Sequence, residues 1–583
     1  MKTKNRSMLK RVLGYAKKYR VRLGIAFLAA ILYVSATLYA PKLVGEAIDQ
    51  YIQVDTFRME DILFIVLELL GIVILGAIFG WIMNALLNRI TYSIVKDLRI
   101  DAFQKILNVP VAYLDSHLSG DILTRIISDT DQVSEGLLQG FSQALTGIIT
   151  IVVTIVMMLT IQWEIALVVI VLTPLSLFVA AFISKRSFKT FKAQAQIKGE
   201  MGGFLNEMIT NQKMVIAYHH QSDNNQAFQK IDADLYTVGV KAQFNSSLTN
   251  PLTRFVNAIV YAAVATIGAI LIVHSKGVGF GVGGLTAFLT YASQYTKPFN
   301  EISGVATELS NSFASLRRVF ELIDEKEIPD ETILPELEIE KGRVEFKDVC
   351  FRYIEDKPLI ENLNMRVEPG MKVAIVGPTG CGKTTLINLL MRFYDTTSGS
   401  ITIDGKPIND YSKDSLRRQI GLVLQETWLF KGSVQENIAY AKDKASLEEV
   451  MEAATSAYVD DFIEKLPSGY QTIISDDDGV SVGQKQLLCI ARLMLREPKI
   501  LILDEATSNI DTRTEVMIQK AFHKIMEGKT SFIIAHRLST IRNADKILVM
   551  QNGTIIEQGT HEELMELRGV YYKMYMEQKK WYR

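Results

Sequence analysis

Five apolar stretches, at about 24–44, 62–83, 141–161, 164–183 and 255–273, each reach roughly the 20 residues that cross a bilayer as a helix. A sixth, 284–306, reads GLTAFLTYASQYTKPFNEISGVA and is weaker. Its Tyr291, Gln294, Tyr295, Lys297 and Asn300 would be costly against lipid, so they are expected to face other helices or a wet cavity. Counting it as a span keeps the long polar stretches 84–140 and 184–254 on one side; the alternative is an amphipathic surface helix. After about residue 310 charged positions dominate. From RVEFKDVCFRY onward, strands alternate with helices, the pattern of an α/β layer domain.

Charge sets the orientation. MKTKNRSMLKRVLGYAKKYRVR holds many lysines and arginines and no acid, which places the N-terminus in the cytoplasm and the acidic 46–61 outside. Met8, Leu9, Val12, Leu13 and Ala16 recur at helical spacing, which predicts an amphipathic elbow over 1–22 lying on the membrane surface. A cleaved signal is not expected, because the following span is full length and no small-residue cleavage site follows it. The expected organisation is a membrane domain over 23–318, a linker over 319–341 and a soluble domain over 342–583.

Composition narrows the function classes. A chain of 583 residues, 48% hydrophobic with a net charge of -1, is too long for one core and carries no nucleic-acid signal. Cys350, Cys381 and Cys489 lack metal-ligand or paired spacing and read as reduced cytosolic thiols. His219 and His220 read as solvated loop histidines rather than a metal pair. Glu68 is the one carboxylate well inside an apolar span: either a functional group or a neutralised one paired across helices.

The sharpest signal is VAIVGPTGCGKTTLINLL. A buried-strand run enters Gly377, Pro378, Thr379, Gly380, Cys381, Gly382, Lys383, Thr384 and Thr385, and an apolar helix follows. Glycines let backbone N–H groups wrap phosphates, Lys383 reaches the outer phosphates, Thr384 ligates Mg2+, and the helix N-terminus favours the anion. Cys381 is either an activated thiol, since the same groups favour a thiolate, or a small residue that fits. In KILILDEATSNID, Ile500 to Leu503 form a buried strand and Asp504 holds Mg2+ through water. Glu505 then orients or deprotonates the attacking water, unless it only caps a helix.

With these residues the chain resembles, along its whole length, a half-transporter of the ATP-binding-cassette (ABC) exporters. The fold implied is a six-span α-helical transmembrane domain followed by an α/β P-loop nucleotide-binding domain, with ATP and Mg2+ as cofactors. The resemblance assigns Tyr353 to the adenine, Gln425 in GLVLQETWLF to Mg2+ and nucleotide, and Ser481, Gly483 and Gln484 in SVGQKQ to the signature loop. Ser508 to Asp511 match the dimer loop, and His536 in IIAHRLST is the switch histidine at the γ-phosphate beside the catalytic Glu505. It further implies that each ATP lies between one subunit's phosphate loop and the other's signature loop, so that Ser481 meets the partner's γ-phosphate. The loops 84–140 and 184–254 resemble the coupling loops that pass closure to the spans, the first most closely in VAYLDSHLSGDILTRIISDTDQV.

One stretch departs from the family. Val480 replaces the usual leucine, Val482 the first glycine, and the preceding SDDDG is atypical. A Cβ at Val482 is expected to limit both the backbone's range and its approach to a phosphate. The phosphate loop, Asp504, Glu505 and His536 are intact. This resembles the catalytic-glutamate-bearing chain of a heterodimeric bacterial exporter, whose partner half-transporter has a degenerate carboxylate and an intact signature; a homodimer that tolerates valine is the alternative. The function implied is ATP-driven export of an amphipathic drug, lipid or peptide across the cell membrane by alternating access, among membrane lipids and without nucleic acid. The other class is a membrane ATPase that gates or senses without net transport.

Overall fold

Leucine- and isoleucine-rich runs have no water to bond their backbone inside a membrane, so they satisfy it internally as helices. The computed structural model describes residues 2–52, 59–274, 280–329, 331, 333–424, 427–475, 480–505, 510–535 and 541–581. Contacts divide it into two units: Met1–Val109 with His117–Lys326, and Pro110–Ser116 with Glu327–Arg583.

In the first unit every apolar stretch falls in helix: Arg20–Ala47, Met59–Asn108, Ser128–Ile161, the pair Trp163–Leu172 and Pro174–Thr210, Thr249–His274, and Val282–Ile323. Among the described residues, four segments, Arg20–Gln50, Ile62–Asn108, Ser119–Ile161 and Gln221–His274, are long and apolar enough to cross a membrane. The stretch 164–183 is split between two helices, and Pro174 opens the second, where its missing N–H costs nothing. At about 1.5 Å per residue, Met59–Asn108 extends roughly 75 Å against a hydrocarbon core of about 30 Å. Most of its second half therefore lies beyond the lipid.

Tyr291 and Tyr295 are buried among the helices, and the Tyr291 hydroxyl donates to the Leu38 carbonyl at 2.7 Å, close to Pro41, which interrupts that helix's backbone ladder. The Asn300 side chain lies outside the described residues. Buried Asp129 is paired with Arg318, which ties Ser128–Ile161 to Val282–Ile323. Glu68 does not pair across helices: it is exposed beside Leu63, Phe64, Leu67 and Leu70, with no hydrogen bond or ion pair among the described residues. His220 bonds Asp223 at 2.9 Å on an exposed turn.

The N-terminal helix Lys2–Lys17 divides the apolar set predicted for the elbow, with Leu13 exposed. Met8, Val12 and Ala16 are buried within the protein, Ala16 against Ile90 and Ile94. Arg11 grips Asp324 at 2.5 and 2.8 Å while lying 3.8 Å over the Phe320 ring, and the Tyr15 hydroxyl donates to Asp101. The acids that complete these pairs lie 86 and 313 positions away, so helical periodicity alone could not separate protein from membrane.

The second unit is built on a six-stranded sheet in the order Thr554–Gly559, Lys546–Gln551, Lys372–Val376, Thr530–Ala535, Ile500–Glu505, Ile420–Val423. All neighbours are parallel except the edge pair of Thr554–Gly559 with Lys546–Gln551. Alternation explains its strands. Val373, Ile375, Ile500 and Ile502 enter one core, while Ala374, Val376, Leu501 and Leu503 enter the other, so both faces are covered and the strands read as continuous apolar runs. A four-stranded antiparallel sheet, Ile360–Val367, Val344–Phe351, Ser398–Ile403 and Lys406–Pro407, flanks the first of these cores.

Candidate nucleotide site

Parallel strands deliver their loops to one edge, and ligands bind at that carboxyl end. Gly377 follows Lys372–Val376 with φ +154°, and a Cβ there would come within 2.3 Å of the Met550 carbonyl. Only glycine fits. The loop turns through Gly380 and Gly382 into helix Lys383–Leu390, whose N-terminal N–H groups present a positive end to an anion. The Lys383 ammonium lies across the loop, donating to the carbonyls of Gly377 at 2.9 Å and Pro378 at 3.1 Å. The Thr384 side chain is exposed in the first turn, and Thr385 is buried.

Cys381 belongs to the hydrophobic core. It is 4% exposed, with its sulfur 3.9 Å from the Lys383 nitrogen. That burial favours the packing reading over the activated thiol: sequence proximity to N–H groups says nothing of which way the side chain points.

Asp504, 8% exposed, is the penultimate residue of Ile500–Glu505, two strands along at the same carboxyl end of the sheet. Thr384 and Asp504 therefore offer a hydroxyl and a carboxylate on one edge, an oxygen donor set that suits Mg2+. Glu505 closes the strand opposite Ala535; its side chain, together with Gln425, His536, Ser508 and Asn509, lies outside the described residues. Asp511 caps helix Thr512–Met526 by accepting from the Thr514 N–H at 3.0 Å, and bonds from its own helix start hold its carboxyl below the usual range.

Tyr353 is 47% exposed. The edges of Phe351 and Tyr394 pack against it at 4.8 and 4.9 Å, nearly perpendicular. Its hydroxyl receives a bond from Asn388 and shares one with Thr385, both at 3.2 Å, on the helix that follows the phosphate loop. The ring is thus fixed relative to that loop, leaving exposed surface on which a base can stack.

The signature residues form a helix start. Ser481 is the N-cap of Val482–Arg496, its side chain accepting from the Gln484 N–H, while the Gln484 side chain accepts from the Ser481 N–H. Val482 occupies the first helical position, 52% exposed, and is absent from the positive-φ residues. Its backbone stays within the range open to a β-branched residue, so the valine brings no strain at this helix start. The tight position is Gly483, where a Cβ would meet Thr514 at 2.5 Å and Ile510 at 2.9 Å. Val480 packs against the adjoining core. Asp476 to Gly479 lie outside the described residues.

The sequence reading missed the support around Tyr353, namely Tyr394 and Asn388, and a groove of about 380 Å³ lined by Leu424, Trp428, Tyr440 and Arg492. The aromatic pair in TWLF was the available signal for the groove.

Comparison with known proteins decides the family. A family model described as "ABC transporter transmembrane region" matches residues 23–299, and one described as "ABC transporter" matches 360–508. The "Fatty acid ABC transporter ATP-binding/permease protein" of Mycobacterium bovis is 43% identical over 87% of this chain and 80% of that protein. The chain belongs to the ABC transporter family. This transporter is also 32% identical to the "ATP-dependent lipid A-core flippase" of Desulfotalea psychrophila, over 98% and 99% of the two chains. The structure described as "a bacterial Atm1-family ABC exporter with ATP bound" superposes with TM-score 0.78 at 27% identity, covering 96% of this chain and 98% of that one. The transporter is therefore a membrane-embedded exporter that binds ATP and couples its hydrolysis to transport.

Proposed function

We propose that the transporter exports an amphipathic lipid, of the fatty-acid or glycolipid kind, by alternating access as one half of a dimer. The observation that carries the ATP half of this reading is the Lys383 loop sharing a sheet edge with Asp504. Lys383, the loop N–H groups and Tyr353 hold the triphosphate and base; Thr384, Asp504 and Gln425 hold Mg2+, which neutralises phosphate charge when bound. Glu505 takes the proton of the attacking water, and His536 holds the γ-phosphate. Closing two nucleotide domains on ATP, and parting them after phosphate release, shifts the membrane unit between two populations.

Two things support the lipid class. The M. bovis and D. psychrophila relatives bear fatty-acid and lipid A-core names. In this chain, Asn257, Tyr261, Ser293 and Thr296, beside Ala258, Val260 and Ala292, line an uncharged, half-polar hollow of about 240 Å³ between two membrane helices, with the Asn257 side-chain oxygen buried and unbonded among the described residues. Such a hollow suits a hydrogen-bonding head group attached to an apolar chain. The test is ATPase stimulation in nanodiscs by a long-chain fatty acid, a glycolipid and a hydrophobic cation. Stimulation by either lipid supports the class; stimulation by the cation alone favours a multidrug exporter.

Heterodimerisation is the reading we favour for the partner, with Val482 on a partner site that hydrolyses slowly and Glu505 serving the other. It rests on a half-exposed valine at the first helical position, where the family has its first glycine.

A further inference from the structure

The short helix Val111–Ser116 comes from the first long loop, between Met59–Asn108 and Ser119–Ile126 of the membrane unit, yet it belongs to the unit that contains the phosphate loop. One bond stands out there. The Tyr394 hydroxyl donates to the Asp115 carboxylate at 2.5 Å, and burial together with this bond holds the phenol proton in place, well above its ordinary range. The other end of the same ring packs edge-on against Tyr353 at 4.9 Å and Phe351 at 5.7 Å. Tyr353 in turn is bound by Asn388 and Thr385.

A continuous path of side chains therefore runs from the phosphate-loop helix through Tyr353 and Tyr394 to Asp115. Its geometry is restrictive. Tyr353 is pinned at its hydroxyl and flanked by two perpendicular rings, so tilting it to follow a stacked base displaces the Tyr394 edge. Tyr394 is pinned at its own hydroxyl, so that displacement falls on Asp115.

We infer that Tyr394 is a positioning residue that reports occupation of Tyr353 by the nucleotide base to the loop helix Val111–Ser116, with Asp115 as the receiving group. This rests on the reading of Tyr353 as the base platform. The base would bear on the Tyr353 ring itself, whereas the phosphates would meet the loop ahead of the helix that carries Thr385 and Asn388, so the base is the group that acts on this path directly. By reciprocity, whatever shifts Val111–Ser116 changes the affinity for the base by the same factor. Transport substrate acting through the first loop would thereby alter nucleotide binding in a base-dependent way.

The test is hydrogen exchange across residues 110–117 of the full-length transporter in nanodiscs, with MgADP or magnesium tripolyphosphate as the probe. MgADP is expected to slow exchange there by about fivefold or more, the lower end of ordinary coupling, while tripolyphosphate leaves it unchanged. In Tyr394→Phe, which keeps the ring, and in Asp115→Ala, the slowing should vanish, and by the same reciprocity MgADP affinity should fall by no more than the coupling factor of about fivefold. Slowing that persists in Tyr394→Phe, or that tripolyphosphate also produces, overturns the inference. Tyr353→Ala separates the two claims: it should weaken MgADP binding by roughly tenfold, the size of one base–aromatic stack. Unchanged affinity in Tyr353→Ala rejects the platform reading and the inference with it. Weakened affinity there with intact slowing in Tyr394→Phe rejects the inference alone.

Discussion

Ser481 and Gln484 cap each other: the serine hydroxyl accepts from the Gln484 N–H at 3.3 Å, and the glutamine side chain accepts from the Ser481 N–H at 2.9 Å. This box fixes the start of Val482–Arg496 with Val482 turned outward and Gly483 turned inward onto Thr514 and Ile510. Gly483→Ala should then destabilise the transporter by about 1–3 kcal/mol through overpacking. Val482→Gly should cost no more than about 1 kcal/mol. Thermal unfolding of the two variants in detergent measures both, and a larger loss in Val482→Gly contradicts the assignment.

The proposed heterodimer would put Glu505 and Val482 in different composite sites. The chain purified alone is expected to hydrolyse ATP slowly, and co-purification with a second half-transporter to raise turnover. Within that pair Glu505→Gln should lower the rate by about 10² or more, the range for losing a general base, and the partner's equivalent change should do little. Robust ATPase activity of the chain alone would favour the homodimer.

Cys381 is buried, whereas Cys350 and Cys489 are half-buried. Maleimide should label Cys381 last of the three in the folded transporter, with MgATP making no difference to its rate. Peptide mass spectrometry reads this directly. Rapid labelling of Cys381 that MgATP blocks would restore the activated-thiol reading.

Asp404 fastens the start of the soluble unit. Its carboxylate accepts from the N–H groups of Glu340, Lys341, Gly342 and Arg343 at 2.8–3.2 Å. Burial alone would push this carboxyl up, but the four N–H groups hold it below the usual range. A depressed carboxyl contributes stability that is fully present above the unfolded value near 3.9 and lost as pH falls through the lower folded value. Asp404→Ala should thus cost about 1–3 kcal/mol at pH 7, with the gap to wild type closing below about pH 4. Unfolding midpoints of both proteins from pH 7 to pH 3 measure it, and a gap that stays constant contradicts the role.

The sequence made the chemistry easier to read than the contacts. KVAIV followed by GPTGCGKTT encodes a buried parallel strand and its loop within 14 consecutive residues, so local pattern sufficed. Val482 shows the limit: its conformation depends on where the helix begins, and the Ser481–Gln484 box that sets this is as local as the signature, yet the same serine and glutamine also suit a phosphate contact. The bonds of Arg11 to Asp324 and of Tyr394 to Asp115 span 313 and 279 positions, and no periodicity reports such a pairing. Burial of Cys381 was likewise invisible, because a loop residue's direction is set by the strand beside it.

Net movement of lipid is the most direct measurement of what this transporter does. Inside-out proteoliposomes containing the dimeric transporter would be given a fluorescent long-chain fatty acid or glycolipid and MgATP. A lipid exporter should accumulate at least one of these lipids in the lumen against its gradient in an ATP-dependent way, and Lys383→Ala and Glu505→Gln should each abolish that accumulation. Vigorous ATP hydrolysis with no accumulation of either lipid would contradict lipid export and leave a membrane ATPase that gates or senses.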